Sequence, residues 1–149
     1  MRQRADIIKC SLKHLEKVAE IEKECIPDGW SQKAFEDWFA NENTVLLAAV
    51  SDGETIGFAN GSWVLDEGEL LNIAVTESHR HEGIAQILYD RLEETFNQKG
   101  VAVIYLEVRE KNAPAISFYE KNGFKKNGFR KKYYRNPDDN GVLMMKKLK

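Results

Sequence analysis

Cysteine, histidine and proline are scarce in this chain: two, three and three residues among 149. Cys10 and Cys25 are too few for a disulfide framework and lack the spacing of a metal-binding pair. With His14, His79 and His81 they form no ligand set, so no metal is expected. Each cysteine reads as a small buried hydrophobe, Cys10 in a strand-like run and Cys25 at the end of a helical pattern. No apolar run approaches the roughly 18 residues of a membrane span. The apolar stretch in MRQRADIIKC is too short for a signal peptide, so the chain is expected to be cytoplasmic, with no membrane partner. Linker-like and low-complexity tracts are also missing, and a single domain over 1–149 with one core is expected. KNGF recurs at 121–124 and 126–129, an offset too short to build a repeat architecture.

What is present suits a packed globular protein: 42% of all residues are hydrophobic and 10% of all residues are aromatic. A net charge of −2 argues against bulk nucleic-acid binding. The charge is unevenly placed, however. Asp66, Glu67 and Glu69 cluster together, while Lys125 to Arg135 holds six bases.

Periodicity predicts an α+β domain. Asp6 to Cys10 reads as a strand, and Ser11 as the N-cap of a helix with Leu12, Leu15, Val18, Ala19 and Ile21 on one stripe. Pro27, Asp28 and Gly29 end it. Ser31 caps a second helix carrying Phe35, Trp38 and Phe39, and Trp30 and Trp38 are expected to pack between these helices and a sheet. TVLLAAVS, TIGFANGSWVL and ELLNIAV then read as an antiparallel meander turned at Asp52-Gly53 and at Asp66-Glu67-Gly68. Gly83 to Asn97 is helical, with Ile84, Ile87, Leu88, Leu92 and Phe96 on its stripe. Val101 to Val108 is apolar on both faces, as a buried parallel strand is, so a right-handed crossover joins it to the meander. Asn112 caps a further helix with Pro114 in its first turn, ended by Asn122-Gly123. Two last strands, about 124–134 and 141–148, meet across Asn136 to Asn140, with Asn127-Gly128 as a bulge or a competing turn.

Function is written most densely in LLNIAVTESHRHEGIA, Leu70 to Ala85. A strand, a loop with Arg80, His81 and Gly83, and then a helix make an anion site. Unpaired N–H groups and the helix dipole meet phosphate oxygens, and glycine lets the backbone approach. Arg80-His81-Glu82-Gly83-Ile84-Ala85 resembles the cofactor motif of the GNAT superfamily of N-acetyltransferases, Arg/Gln-x-x-Gly-x-Gly/Ala. Leu106 to Phe124, with LEVR, Asn112, Phe118-Tyr119 and Gly123-Phe124 in order, is similar to the bacterial ribosomal-protein alanine N-acetyltransferases. So are Trp30-Ser31, Leu65-Asp66-Glu67 and Tyr133-Tyr134.

The resemblance implies a GNAT fold, a mixed and mostly antiparallel sheet of about seven strands with about four helices. It implies acetyl-coenzyme A as cosubstrate and direct transfer to an amine, with no nucleophilic cysteine. Glu107 matches the general base, Tyr119 the general acid, and Asn112 a coenzyme contact. Backbone atoms of Ile73, Ala74 and Val75 match the edge that binds the pantetheine arm, and Arg80 with His81 to Gln86 (Glu82, Gly83, Ile84 and Ala85 between them) the pyrophosphate loop. A carboxylate is needed because a free α-amine, with pKa near ~8, is largely protonated at neutral pH. Locally, Glu107 also reads as a solvated rim carboxylate, Tyr119 as a core ring and Asn112 as a plain helix cap. Two departures stand out: Glu82 puts an acid in the anion loop, and Asn140-Gly141 stands where many relatives have Asp-Ala.

The implied substrate is the N-terminal alanine of small-subunit ribosomal protein S18. The acidic cluster at Asp66, Glu67 and Glu69 would suit a basic peptide, or is a solvated hairpin tip. Lysine or a small amine is the alternative acceptor. From other classes come an acetyl-coenzyme A sensor without turnover and an RNA- or ribosome-binding module built on the basic, aromatic tract after Phe124. The tract reads more simply as a solvated strand face, so nucleic acid is not the expected partner.

Overall fold

A computed structural model describes residues 5–26, 29–134 and 138–149. Seven strands form one sheet: β1 (Asp6–Lys9), β2 (Thr44–Ser51), β3 (Glu54–Val64), β4 (Glu67–Val75), β5 (Val103–Arg109), β6 (Lys125–Tyr134) and β7 (Asp139–Lys147). Its order is β1-β2-β3-β4-β5-β7-β6. Four helices accompany it: α1 (Leu15–Cys25), α2 (Gln32–Phe39), α3 (Ile84–Gln98) and α4 (Ala113–Lys121). Only β4 and β5 are parallel neighbours, and α3 is the crossover between them.

Strand alternation divides the apolar residues between two layers. Leu46, Ala48, Phe58 and Ala74 face α1 and α2, where they pack with Leu15, Val18, Ile21 and Phe35. Val45, Leu47 and Ala49, one residue out of phase, face α3 and α4 with Leu88, Leu92, Phe96 and Ile116. Trp30, Phe35 and Phe58 continue the first layer, the first pair of rings tilted at 5.2 Å and the second edge-on at 5.6 Å.

Local chemistry explains the ends of elements. Asp52 and Gly53 both take left-handed φ, 52° and 76°, as the tight β2–β3 turn requires. The Ser31 hydroxyl accepts from Ala34 N at 3.2 Å, and Asn112 Oδ1 from Ala115 N at 3.2 Å. Asn127 is the bulge of β6, between register partners Lys126 and Gly128.

Several expectations shift. Ser11 caps a short 3-10 turn whose His14 ring accepts the Ser11 N–H at 2.9 Å; α1 begins only at Leu15, and Leu12 stays exposed. The β3–β4 turn is Leu65-Asp66, with Leu65 at φ 55°, so Glu67 and Gly68 belong to β4. Ile87 is half-exposed, and Tyr89 takes the buried position by giving its hydroxyl to Glu93 at 2.7 Å. β5 starts at Val103 and is parallel only over Val103 to Tyr105; its other edge pairs antiparallel with β7, and Tyr105 is partly exposed. Asp139 and Asn140, expected in a turn, open β7. Of the remaining expected breaks, Pro27, Asp28, Asn136 and Pro137 lie outside the described residues, as does Arg135 of the basic tract.

The sheet has a second irregularity that matters for the site. Asn60 pairs with Asn72 and Gly61 with Leu70, leaving Leu71 as an extra residue in β4. Gly61 is tightly enclosed there: a Cβ would lie 2.8 Å from the Glu69 carbonyl and 2.9 Å from Phe96 Cζ. Gly61→Ala is therefore expected to cost about 1–3 kcal/mol of stability in urea unfolding; a change below about 0.5 kcal/mol would contradict this packing.

Candidate functional site

β4 and β5 share three register pairs, the last Glu69 with Tyr105, and then separate. Beyond that point the residues from Asn72 to Val75 pair only with β3. A cavity of about 760 Å³ fills the gap. Ile73, Ala74 and Val75 form its β4 wall, Arg80, His81 and Gly83 its loop, and Ile84, Ala85 and Gln86 its helical end. Glu107, Asn112 and Tyr119 close the far side. Twelve of the thirteen residues singled out from the sequence thus meet in one place. Glu82 does not: its carboxylate sits 3.2 Å from His79 Nδ1, outside the lining.

The loop suits a phosphate. His81 and Gly83 both have left-handed φ, 64° and 80°, and Gly83 is the N-cap of α3. No atom lies within 4 Å of where a Gly83 Cβ would stand, so conformation rather than space calls for glycine. Ile84, Ala85 and Gln86, whose N–H groups precede the first helical bond (Ile87 N to the Gly83 carbonyl, 3.2 Å), line this end of the cavity. Arg80 is committed elsewhere in part: Nε donates to the Val75 carbonyl at 3.3 Å and Nη2 to Cys25 Sγ at 3.3 Å. An elongated, phosphate-bearing thioester fits this set of an open strand edge and a helix N-terminus.

Cys25 corrects an expectation. It is half-buried rather than core, lines the cavity and points its thiol at the Val75 carbonyl, 3.5 Å away. Burial, the dominant effect, pushes its pKa up, and Arg80 opposes it. Cys10 is buried as expected.

Glu107 marks the other end. Burial raises its carboxyl pKa, Arg130 beside it lowers it, and Glu69 raises it again. Its Oε1 lies 3.4 Å from Arg130 Nε, and Oε2 is shielded from water with no donor among the described residues. Tyr119 is buried among Phe118 and Phe124, at 5.5 and 5.7 Å between ring centroids. Burial drives its phenol pKa well above the usual tyrosine value. Tyr134, also raised chiefly by burial, is pushed up to about 12, and the Arg109 guanidinium stacks on its ring at 4.6 Å.

A second cavity of about 650 Å³ shares Cys25, Asn72, Glu107 and Asn112 with the first. Trp30, Glu69, Tyr133 and Tyr134 line it. Of the acidic cluster only Glu69 reaches it; Asp66 stays in the hairpin turn, where its carbonyl accepts from Ala102 N at 2.7 Å. Trp30 packs against the first layer, as expected, and is also cavity wall; Trp38 meets the Trp30 ring edge-on at 5.2 Å.

Glu22 was not foreseen. It is only 5% exposed, accepts from Trp30 N at 2.9 Å and from the Asn72 side chain, and lines the second cavity. Burial pushes its carboxyl up, and the two hydrogen bonds hold it back. The signal lay in helical spacing, since Glu22 falls on the stripe of Leu15 and Val18. Among the described residues, no set of three or more His, Cys, Asp or Glu converges as a metal site, and no helix is long and apolar enough to cross a membrane.

An open β4 edge, a helix N-terminus at one end and a desolvated carboxylate at the other define an acyl-transfer cleft. Residues 15–124 match the Acetyltransferase (GNAT) family, and the chain belongs to that family, whose members transfer acetyl groups from acetyl-coenzyme A to amines. More particularly, it is 35% identical over 117 residues to the [ribosomal protein bS18]-alanine N-acetyltransferase of Escherichia coli K12, covering 77% of this chain and 78% of that one. The crystal structure of the ribosomal-protein-S18-alanine N-acetyltransferase from Escherichia coli superposes with a TM-score of 0.89 at 29% identity, over 97% of this chain and 94% of the other. PaiA N-acetyltransferase from Thermoplasma acidophilum, solved in complex with coenzyme A, gives a TM-score of 0.73 at 26% identity, over 96% and 98%.

Replacing Glu22 by Ala would leave the Trp30 N–H and the Asn72 amide without their acceptor. Glu22→Ala is expected to lose about 1–3 kcal/mol in chemical unfolding, and Glu22→Gln less, because an amide oxygen keeps one bond. Equal losses in the two variants would contradict this role.

Proposed function

We propose that this N-acetyltransferase acts on the free α-amine of a protein N-terminus, and that the N-terminal alanine of ribosomal protein bS18 is its acceptor. What carries the reading is the meeting of two cavities at Glu107. One has the backbone edge and helix terminus suited to coenzyme A; the other has Trp30, Glu69, Tyr133 and Tyr134 as walls for an extended chain. Similarity to enzymes named for bS18 alanine supports the choice of acceptor. An Arg- and Lys-rich peptide suits a second cavity holding Glu22, Glu69 and Glu107.

Ile73, Ala74 and Val75 would bind the pantetheine arm through their backbone, His81 to Gln86 the pyrophosphate through N–H groups, and Asn112 the coenzyme beside its capping role. Acetyl-coenzyme A, when bound, supplies a thioester activated towards amines. Glu107 takes a proton from the acceptor ammonium, directly or through one water. The amine nitrogen forms the C–N bond as the C–S bond breaks; of its two remaining protons one is lost to solvent and the other stays on the amide product. Tyr119 faces the leaving sulfur. Its raised pKa keeps the phenol protonated, so it donates a hydrogen bond to the thiolate, whose pKa is roughly 8.5, and is reprotonated from solvent if its proton passes on.

The basic tract on β6 does not favour an RNA reading. Its central base, Arg130, is paired with Glu107 and stacked on Tyr133 at 5.0 Å, so both serve the cavity.

Thiol release from acetyl-coenzyme A tests the reading with a hexapeptide bearing the bS18 N-terminus, beside the same peptide with a blocked α-amine and an internal lysine. Turnover is expected only with the free N-terminus; turnover on the blocked peptide would move the acceptor to lysine. Glu107→Gln should lower kcat by about 10²–10⁴-fold while coenzyme affinity holds. The pH profile has a defined sign. Glu107 accepts a proton only when ionised, and its pKa is raised, so activity falls with decreasing pH at a limb above the ordinary carboxylate range of about 4.3. A limb at or below that value would contradict the burial of Glu107.

A further inference from the structure

Glu107 is held by two neighbours that have no part in the transfer itself. Its Oε1 pairs with Arg130 Nε at 3.4 Å, and Arg130 is steadied by the Tyr133 ring. Its Oε2 lies where β7 passes nearest: a methyl group built on Gly141 would stand 2.9 Å from that oxygen. Register places Gly141 opposite Arg109 of β5 on one side and Arg130 of β6 on the other. Gly141 does not have left-handed φ, so its backbone does not call for glycine. What the missing side chain provides is room for the carboxylate.

We propose that Gly141 and Arg130 form a seat that holds the Glu107 carboxylate against β7 and so fixes where the base waits for its amine. The seat rests on the reading of Glu107 as the base. Within it Oε2 has no donor among the described residues, so an incoming ammonium offers the hydrogen bond that the seat leaves unmade. The other charged or titratable groups near Glu107 are Tyr134 from β6 and Glu69 from β4; Arg109 lies two residues along β5 and Glu22 of α1 lines the same cavity. Leu143, the β7 residue opposite Glu107, does not titrate. Arg130 is thus the cation placed directly on the carboxylate, and Gly141 is what lets the carboxylate stay beside it.

A double-mutant comparison of pH profiles for kcat/KM tests the seat. Arg130→Gln is expected to move the acidic limb upward by about half a pH unit, the scale of a half-exposed ion pair. Arg130→Lys, which keeps the charge, should restore most of it. Gly141→Ala pushes the carboxylate off Arg130, so adding Arg130→Gln to Gly141→Ala should move the limb by less than half as much as it does alone. Additive shifts, or an unmoved limb in Arg130→Gln, would overturn the seat. Where Gly141→Ala does not fold by circular dichroism, the contrast between Arg130→Gln and Arg130→Lys decides. Glu107→Gln separates the two levels. If it keeps turnover and the acidic limb, the base reading fails and the seat with it. If it abolishes turnover while the Arg130 variants leave the limb in place, the seat alone fails.

Discussion

Strands β4 and β5 are joined by only three register pairs before they part. Most of what the site does follows from that separation. Hydrogen-bonding groups of an interior strand would normally be consumed by strands on both sides; here Asn72 to Val75 pair with β3 alone, and at the end of the stretch the Val75 carbonyl accepts from Arg80 and Cys25. The extra residue at Leu71 turns β4 at the start of this stretch. The crossover through α3 sets the helix N-terminus at the far end of the same gap, as parallel neighbours with a helical connection must. An open strand edge and a cluster of N–H groups thus share one cleft, without any side chain being dedicated to the purpose.

The electrostatics of the cleft run from one end to the other. Near α3 the partial positive charge of a helix start faces the cavity, and Glu82 is drawn aside by His79. Near β5 the groups are acceptors: Glu107, Glu69 and Glu22, with Arg130 as the direct counter-ion of Glu107. The first end suits a phosphate and the second an ammonium. Burial raises the affinity of Glu107 for a proton, as the proposed base role requires, while Arg130 keeps that rise in check.

Much of this was legible in the chain. Apolar periodicity located most of the strands and the four helices to within a few residues, because burial on a sheet face or a helix stripe is what the alternation records; β6, exposed along nearly all its length, carries no such alternation. Gly83 and Asn112 were legible as the residues that start helices; Glu107 and Tyr119, inside β5 and α4, stood out only through the resemblance to the family, because locally they read as a rim carboxylate and a core ring. The failures have physical causes too. Glu22 was overlooked because a charged residue on an amphipathic helix is usually solvated, and only the Trp30 N–H and the Asn72 amide make its burial tolerable. Cys25 was read as core because a helix end gives no sign of which neighbour strand is missing. The Asp66-Glu67-Glu69 cluster looked like one feature, but Asp66 lies in the turn and Glu67 is the first residue of β4, so only Glu69, two residues further along the strand, reaches the cavity. Gly141 could be seen as a departure from relatives; its meaning depended on Glu107, which is distant in sequence.

Amide hydrogen exchange with and without coenzyme A would test the central claim, that the gap between β4 and β5 is the coenzyme site. Protection is expected to rise within 73–75 and 81–86, with little change in β1, β2 or β6. Saturating coenzyme that leaves those two segments unprotected, or protects a different surface, would contradict the account.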